Sequence, residues 1–562
     1  MKKLQTVIFH PIIAALYPII ALLAFNIDET PISSAWRAVL SSLVLMSLVW
    51  FVNSLLLKDR SKAAILTSAM LIVLFAYGHL NGFTVTSFRL FGLDVLSHRY
   101  LLPISLLLMV GTYWMLAKRL GDTSSANSTL NLIGLLLIAF PLYQIITFQI
   151  TLYQSQQATP AISLNEDVMQ ESALPDIYLI ILDMYPRQDY LLDVMEYDNS
   201  AFIQQLRNQD FYVADCTLSN YSITRFSLTA LLNMNYIDTL MPNISADARE
   251  RSLVDPLLKN SFVRQTLEEL GYQVVAFHTD FPATSLQDAD FYFENANDLA
   301  QITDEQAAIE SGSLEGIEVS LSDNPIGSSF LRLNLNKFEW LLVQTTAFRV
   351  IPDLFFRLAD PEKPNRSYLI HLRQYELNTF MLDKLDDIPE EIDSPKFVFF
   401  HIISPHTPVV FTENGDFSPF IENPAPDADS YAFTDEFTYV RAYNGFTGQI
   451  TYINKRMGDF VQNLLSGDAG KPIIIIQGDH GPPVFSRPEI QENEVLAAYY
   501  LPDGGTEGLY PNISPVNLFR HIFNHYFGTN YEFLDDLAFT SDFENSPYDF
   551  ERVLEEFDHC KN

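Results

Sequence analysis

The sequence predicts a bundle of five transmembrane helices followed by an extracytoplasmic α/β domain with a mainly parallel central sheet. Three observations predict it: five long apolar runs fill residues 1–152, short apolar runs ending in polar residues recur after residue 174, and the charge changes sign along the chain. Residues 1–155 carry ten Lys/Arg and five Asp/Glu, a net charge of +5, whereas residues 156–562 carry 24 and 64, a net charge of −40. With 562 residues, the chain is also longer than one domain usually is.

The apolar runs lie at about 8–26, 36–57, 63–80, 101–117 and 129–151. Each is close to the ~20 residues that a helix needs to cross the hydrocarbon core of a bilayer. Lys2 and Lys3 precede the first run, but no small-residue cleavage site follows it, so a membrane anchor is favoured over a signal peptide. The cores of the runs show no clear charged residue, which favours an anchor over a transporter.

Basic residues between the runs predict the orientation in the membrane. The segments before run one, between runs two and three, and between runs four and five hold Lys2, Lys3, Lys58, Arg60, Lys62, Lys118 and Arg119. The alternate segments hold only Arg37, Arg89 and Arg99. Because basic loops stay in the cytoplasm, the N-terminus is expected there and everything after residue 152 outside, in a bacterial inner membrane.

The second half of the chain reads as an α/β domain. Near-continuous apolar strands, typical of a parallel sheet covered on both faces, are predicted at 176–183, 272–280, 396–403 and 472–480. Helices are predicted between them at 199–209, 261–270 and 446–465. The predicted segments are a transmembrane domain at 1–152, a linker at 153–174, a catalytic domain at 175–545 and a tail at 546–562. Within the domain, residues 281–395 lack clear strands and are predicted to hold helices around 337–358 and 365–385.

Composition excludes some functions. A net charge of −40 repels nucleic acid, so nucleic-acid binding is not expected. With only Cys216 and Cys560, the sequence predicts neither a disulfide framework nor a cysteine-rich metal cluster.

Candidate metal ligands follow the predicted strands. Asp183 ends the first strand, Asp479 and His480 follow the last, and His401 and His406 come at and after the third. In open α/β sheets the carboxyl ends of the strands form the ligand site, and carboxylate with imidazole suits a divalent ion such as zinc or manganese. For Asp183, capping of a following helix is an equally good explanation.

A predicted helix begins at Thr224. A helix start offers free N–H groups to an anionic ester, and a hydroxyl bound to a divalent cation becomes a nucleophile. Arg225 beside it is a candidate to hold the oxygens of a transferred group, and His406 is a candidate to donate to an ester oxygen or to protonate a leaving group. The alternatives are a helix-capping threonine and a structural histidine.

These motifs, in this order, resemble the sulfatase-like branch of the alkaline phosphatase superfamily, and most closely its membrane-anchored lipoteichoic acid synthases and lipid A phosphoethanolamine transferases. The resemblance covers about 174–530 and rests on DHG at 479–481, PHTP at 405–408 and the threonine at a helix start. It implies a metal site with the ligands Asp183, Thr224, Asp479 and His480. Two-metal members of the superfamily have an Asp four residues before a His, whereas Ile402 stands four residues before His406, and the next His after DHG is His521. One catalytic ion, zinc or manganese, is therefore expected. The resemblance also implies Thr224 as nucleophile and His406 in contact with the substrate's phosphate, with Arg225 a weaker match.

Departures from the family motif narrow the chemistry. Formylglycine sulfatases need Cys (or Ser)-x-Pro-x-Arg, and this chain has Tyr-Ser-Ile-Thr-Arg at 221–225. The sequence therefore predicts transfer or hydrolysis of a phosphoryl-containing group, on an ester linked to a membrane lipid or glycan. Two alternatives stay open: a sulfuric ester hydrolase with a non-classical nucleophile, and a non-catalytic membrane binding or assembly module. The substrate, the choice between transfer and hydrolysis, and the oligomeric state are not predicted.

Overall fold

The computed structural model describes residues 7–27, 30–82, 97–156, 174–294, 337–351, 366–418, 436–467, 470–482, 492–543, 545–553 and 558–560. The chain divides into two compact units. The first, here the membrane unit, comprises Met1–Thr151 and Leu314–Lys363, and the second, here the sheet unit, comprises Leu152–Ser313 and Pro364–Asn562. Most of the predicted linker, residues 157–173, lies outside the described residues.

Each predicted apolar run of the membrane unit forms a helix. These are α1 (His10–Phe25), α2 (Trp36–Leu57), α3 (Arg60–Gly82), α4 (His98–Lys118) and α5 (Ser124–Gln156). Helices α2 to α5 contain segments long and apolar enough to cross a membrane, and α1 is shorter, at 16 residues. The apolar helices confirm the membrane character of this half, and the number of crossings stays a prediction.

The sheet unit is built on a seven-stranded sheet in the order β2-β7-β6-β1-β5-β3-β4. Its strands are β1 (Ile177–Leu182), β2 (Tyr212–Val213), β3 (Gln273–Phe277), β4 (Phe291–Phe293), β5 (Lys396–Ile402), β6 (Ile473–Gly478) and β7 (Ala497–Tyr500). The neighbours β6, β1, β5, β3 and β4 pair in parallel, and β7 runs antiparallel to both of its neighbours. The predicted mainly parallel α/β sheet is confirmed, and all four predicted strands are present.

Both faces of the sheet are buried, which explains why its strands are apolar without alternation. In β1, Tyr178, Ile180 and Leu182 belong to one core, and Ile177 and Leu179 to the core on the other face. Helices supply the two layers: α6 (Gln188–Asp193), α7 (Ser200–Asn208), α8 (Thr224–Asn233), α9 (Ile237–Leu240), α10 (Asp255–Lys259), α11 (Phe262–Glu269), α13 (Arg366–Glu391), α14 (Glu436–Ser466) and α15 (Pro515–Tyr526). Helix α12 (Lys337–Thr345) belongs instead to the membrane unit.

Two regions differ from the sequence-based expectations. Residues 281–395, expected to lack strands, contribute the short strand β4 at the edge of the sheet. The predicted boundary at 545 falls inside a hairpin, because Ala538–Asp542 (β8) pairs antiparallel with Ser546–Val553 (β9). Neither strand has the long apolar run that identified the central strands, and neither shows regular alternation of buried and exposed residues.

The sequence predicts no framework of several disulfides, but the structure contains one disulfide bond. Cys216 and Cys560 form one, across 344 residues of chain. The sequence showed only two distant cysteines, and their pairing depends on tertiary proximity that spacing does not reveal. This bond fixes the C-terminal end of the chain beside residues 214–217, which precede helix α8.

Candidate metal centre

Three adjacent parallel strands bring the candidate ligands to one edge of the sheet. Strand β1 lies between β6 and β5, and Leu182 is in register with Gly478 on one side and Ile402 on the other. Asp183 follows Leu182 directly, Asp479 follows Gly478, and His401 is the last residue but one of β5. The carboxyl ends of the strands therefore place two carboxylates and an imidazole side by side.

Asp183 is the centre of this group. It is 5 % exposed, and its two carboxylate oxygens face different histidines: Oδ2 lies 3.3 Å from His401 Nε2, and Oδ1 lies 3.5 Å from His480 Nε2. The next helix, α6, has Arg187 at its N-cap position, so Asp183 caps no helix. The capping explanation for Asp183 is therefore excluded.

The turn after β6 orients Asp479 and His480. Asp479 Oδ1 accepts hydrogen bonds from the backbone N–H groups of Met184 and His480, at 3.0 and 2.9 Å. His480 Nδ1 lies 2.8 Å from the carbonyl oxygen of Gly481, to which it donates, so in the neutral ring the Nε2 lone pair faces the carboxylates. Gly478 is needed for close approach, since a Cβ there would lie 2.2 Å from the backbone oxygen of Tyr185.

The loop after β5 brings His406 to the same group. Its backbone N–H donates to the carbonyl oxygen of Asp183 at 3.1 Å, and its Nδ1 donates to the Thr407 carbonyl oxygen at 2.6 Å. The His406 ring centroid is 6.2 Å from that of His480. His406 is therefore fixed beside the candidate ligands, with its Nδ1 already hydrogen-bonded.

Charge couples the group. Burial opposes ionisation of Asp183, but His406, His401 and His480 outweigh burial and hold the pKa of Asp183 at about 2. Burial alone would lower the pKa of His480, but the carboxylates of Asp479 and Asp183 outweigh it and raise that pKa above its ordinary value. Asp183 is thus an anion at neutral pH.

Three buried polar atoms in this group make no hydrogen bond: Asp183 Oδ1, Asp479 Oδ2 and His401 Nε2. One ligand atom from each of these residues lies within 4.8 Å of the other two. Two buried carboxylates cost free energy unless a cation compensates them, and orphaned atoms are rare in folded proteins. Since carboxylate oxygen and imidazole nitrogen are ligands for zinc and manganese, the donor set fits a divalent ion.

Thr224 begins helix α8, as the sequence predicts. The N-cap position is occupied by Ile223, whose side chain cannot cap, and Thr224 is the first helical residue. A capping role therefore does not explain this threonine. Every residue of α8 is buried, and Thr224 itself is 8 % exposed.

Arg225 at the start of α8 lies near the candidate ligands, with the ring of Phe281 between them. The Arg225 guanidinium carbon lies 4.9 Å from the centre of that ring, whose centroid is 6.3 Å from that of His401. Arg225 Nε also donates to Asp255 Oδ1 at 3.0 Å. The guanidinium is thus held in place at the helix start by an ion pair and an aromatic face.

Tyr221 occupies the first position of the five-residue segment where formylglycine sulfatases have their convertible residue. Its ring is packed against Phe539 and Phe550 of the C-terminal hairpin and against Phe226. Its hydroxyl accepts a hydrogen bond from the backbone N–H of Ile237 at 2.8 Å. Tyr221 is a core residue that fixes the approach to Thr224.

The structure groups four of the residues predicted from the sequence: Asp183, Asp479, His480 and His406. Thr224 and Arg225 lie on α8, and the ring of Phe281 lies between Arg225 and the group. His401 was named as a strand-end residue but left out of the predicted ligands, although it is 1 % exposed and faces Asp183 directly. Thr284 was missed altogether; its Oγ1 lies 3.0 Å from His401 Nδ1.

Residues 175–522, more than half of the chain, match the sulfatase family model. No curated protein matches the sequence significantly.

Solved structures are similar at low identity. The integral membrane protein lipooligosaccharide phosphoethanolamine transferase A from Neisseria meningitidis is 13 % identical with a TM-score of 0.36, over 90 % of this chain and 94 % of that one. The C-terminal periplasmic domain of EcEptC from Escherichia coli, in complex with zinc, is 10 % identical with a TM-score of 0.38, over 66 % and 87 %. The corresponding domain of phosphoethanolamine transferase EptC from Campylobacter jejuni is 10 % identical with a TM-score of 0.34, over 63 % and 90 %.

The family match confirms the resemblance that the sequence motifs indicated. Strand β1 and the turn after β6, which carry Asp183, Asp479 and His480, both lie within the matched residues. The chain belongs to the sulfatase family.

Proposed function

We propose that this sulfatase-family member is a membrane-anchored, divalent-metal-dependent enzyme that transfers or hydrolyses a phosphoryl-containing group through Thr224. The observation that carries the proposal is the buried group around Asp183, in which Asp183, Asp479 and His401 each have a polar atom without a hydrogen bond and offer ligand atoms within 4.8 Å of one another. A structural core has no use for such an arrangement, whereas a bound ion satisfies all three atoms.

Thr224 is the proposed nucleophile. It is the first residue of the ten-residue helix α8, and the N–H groups of that first turn lack partners within the helix. The helix end therefore favours an anionic group beside the Thr224 hydroxyl. Tyr221, packed in an aromatic core, leaves no convertible cysteine at the start of the segment, and this favours phosphoryl over sulfuryl transfer.

A divalent ion held by Asp183, Asp479, His480 and the Thr224 hydroxyl would supply Lewis acidity, favouring loss of the hydroxyl proton to solvent water and balancing charge on the ester. The Thr224 oxygen forms a bond to phosphorus, and the bond from phosphorus to the leaving oxygen breaks. His406 gives its proton to that oxygen, and Arg225 faces the charge on the transferred group. Water or an acceptor hydroxyl then attacks the phosphothreonine and restores Thr224.

The substrate class follows from the membrane half. Apolar helices α1 to α5 anchor the enzyme, and the basic loops predict a bacterial inner membrane with the sheet unit outside. The disulfide between Cys216 and Cys560 suits an oxidising compartment, which supports that placement. We therefore propose an ester on a membrane lipid or glycan as substrate, with zinc or manganese as the ion.

The test uses full-length protein in detergent with nitrophenyl esters of phosphate and of sulfate. We expect metal-dependent cleavage of the phosphate esters, abolished by Thr224→Ala and partly kept by Thr224→Ser. Thr229→Ala is the matched control, because Thr229 is buried in the same helix away from its start.

Two outcomes would contradict the proposal. If Thr224→Ala cleaves phosphate esters at the wild-type rate, Thr224 is not the nucleophile. If the wild type prefers the sulfate ester, the family's sulfuric ester hydrolysis is the function, and the sulfatase family match already makes that the second candidate.

A further inference from the structure

A segment from the second half of the chain packs into the membrane unit. Residues 337–351 form α12 and a short 3₁₀ turn at Ala347–Arg349, and they belong to the same compact unit as helices α1 to α5. The chain on either side, up to Ser313 and from Pro364, belongs to the sheet unit. The chain therefore re-enters the membrane unit long after its last predicted crossing.

Apolar contacts hold this segment on the bundle. Phe338 is 1 % exposed and shares a core with Ile19 and Leu23 of α1 and with Ala38 of α2. Leu342, one helical turn further on, packs against the same core and against a second one that contains Phe75. The burial of Phe338 and the partial burial of Leu342 remove apolar surface from water, which favours docking.

An ion pair accompanies these contacts. Arg37 at the start of α2 donates from Nε to Glu339 Oε1 at 2.7 Å and contacts Oε2 through Nη2. The Glu339 side chain is 7 % exposed and that of Arg37 is 42 % exposed. A bidentate pair between residues 302 positions apart gives the docking a defined geometry.

Gly78 of α3 permits close approach. A Cβ at this position would lie 2.2 Å from the backbone oxygen of Gln344, at the end of α12. Arg349 Nη1 donates to the Gly78 carbonyl oxygen at 3.4 Å. The backbone of α3 and the end of α12 are thus in direct contact, and any side chain at residue 78 would separate them.

All of these contacts are at one end of the bundle. Arg37 and Leu23 lie beside the connection from α1 to α2, and Gly78 lies at the end of α3. The basic residues Lys58, Arg60 and Lys62 lie at the opposite ends of α2 and α3. Positive-inside counting therefore places the docked segment at the extracytoplasmic surface of the membrane.

The docked segment also exposes apolar side chains. Phe348 is 44 % exposed and Ile351 is 53 % exposed, and on the helices beside them Trp36 and Phe25 are 63 % and 88 % exposed. We infer that residues 337–351 are a second membrane attachment of the C-terminal half, an interfacial segment that docks on the outer ends of α1 to α3 and inserts Phe348 and Ile351 among the lipids of the outer leaflet.

Charge gives this attachment a physical reason. The chain after residue 155 carries a net charge of −40, so any anionic lipid headgroups on the side where it lies would repel it. Residues 337–351 carry two basic residues and one acidic residue, a net charge of +1, in this acidic half. An apolar, weakly basic segment is suited to remain at the interface where the rest of the acidic half is repelled.

The attachment is tested by cutting the chain between its two membrane contacts. A protease site is placed between residues 157 and 173 of the full-length protein, and membranes are treated with the protease after reconstitution. We expect the C-terminal fragment to remain with the membranes through a high-salt wash and to co-purify with the N-terminal fragment in mild detergent. Release of the wild-type fragment by the cut alone would overturn the inference.

Variants distinguish specific docking on the membrane unit from non-specific association of the fragment with membranes. Phe338→Asp, and independently Gly78→Val, should release the fragment after the cut. Leu192→Asp, which changes an exposed apolar residue of the sheet unit, should not. If Phe338→Asp impairs folding, Gly78→Val still decides, because retention of that fragment would contradict the close contact with Gln344.

Lipid insertion has its own readout. A spin label on Phe348→Cys is specific, because Cys216 and Cys560 are joined in a disulfide. We expect oxygen to relax this label more than a water-soluble nickel reagent does. A label on Leu107→Cys, on the exposed face of α4, should behave in the same way, whereas a label on Leu192→Cys of the sheet unit should be relaxed more by nickel. A label at 348 that behaves like the one at 192 would contradict contact with lipid.

Discussion

Replacing Asp183 by asparagine removes one negative charge from the centre of the proposed metal site while keeping the size of the side chain. Asp183 lies between His401 and His480, with 3.3 and 3.5 Å from its oxygens to their Nε2 atoms. The carboxylate is buried and its pKa is held at about 2, so the wild-type group is fully ionised at neutral pH. The substitution therefore changes charge at a fixed position.

The size of the effect follows from Coulomb's law. Two unit charges 4 Å apart attract by about 4 kcal/mol at an effective dielectric constant of about 20. A divalent ion carries two charges, but asparagine also avoids the cost of burying a carboxylate, so we count only one of them. The binding free energy of the ion should then weaken by about 4 kcal/mol. Since about 1.4 kcal/mol is a factor of ten, we expect Asp183→Asn to weaken metal affinity about a thousandfold.

The assay is chelator competition with zinc, on full-length protein stripped of metal, together with thermal unfolding. Asp176→Asn is the matched control, because Asp176 precedes the same strand, is 4 % exposed and pairs with Lys396 Nζ at 2.8 Å. Leaving Lys396 buried without its partner should cost about 3–5 kcal/mol of stability and leave metal affinity unchanged. Wild-type affinity in Asp183→Asn would refute the proposed centre, and equal losses in both variants would show a folding defect instead.

Three further predictions concern pH, the disulfide and the aromatic core. In the metal-free protein the pKa of His480 is raised, so its charged form stabilises the fold fully below about pH 6.5 and progressively less as pH rises through the raised pKa. Tm should therefore fall in that pH window without zinc and stay constant with zinc. The same pH dependence of Tm with and without zinc would contradict the coupling between His480 and the carboxylates. Reducing the Cys216–Cys560 disulfide should cost about 2–5 kcal/mol of stability, measured by denaturant unfolding against a double serine variant; unchanged stability would contradict a structural role. Tyr221→Phe removes the acceptor of the Ile237 backbone N–H. The free energy of unfolding should fall by about 1–3 kcal/mol in the same denaturant measurement. An unchanged free energy of unfolding would mean that this N–H finds another acceptor.

Local pattern identified the sheet. The four central strands are buried on both faces, so each is a run of apolar residues that the sequence displays directly. The edge strands β2 and β4 are two and three residues long and half-buried, and no periodicity identifies so short an element. The hairpin of β8 and β9 was missed because its strands pack through scattered aromatic residues, Phe539 against Tyr221 and Phe550 against Phe226 of α8.

Candidate ligands that follow a strand directly could be predicted from the sequence, whereas a ligand that depends on which strands are neighbours in the sheet could not. Asp183, Asp479 and His480 come directly after apolar strands, which marks them in the sequence. His401 lies inside a strand and its sequence context is that of a core residue. It lies beside Asp183 because β5 is the neighbour of β1 in the sheet. Strand order is a long-range property, and nothing in a linear pattern states it.

The disulfide and the docked segment were hidden for the same reason. Cys216 and Cys560 are 344 residues apart, and Arg37 and Glu339 are 302 apart. The sequence predicted a helix near residue 337 but not where in the fold that helix lies. Only the folded chain shows that this helix packs on α1 to α3.

The central claim is that Thr224 becomes covalently phosphorylated during turnover, and mass spectrometry of the quenched protein tests it directly. Full-length protein with zinc is mixed with a nitrophenyl phosphate ester, quenched in acid during turnover and digested. We expect a phosphoryl-containing adduct on the peptide that holds Thr224, absent without metal and absent in Thr224→Ala. Turnover with no adduct, or an adduct on another residue, would contradict it.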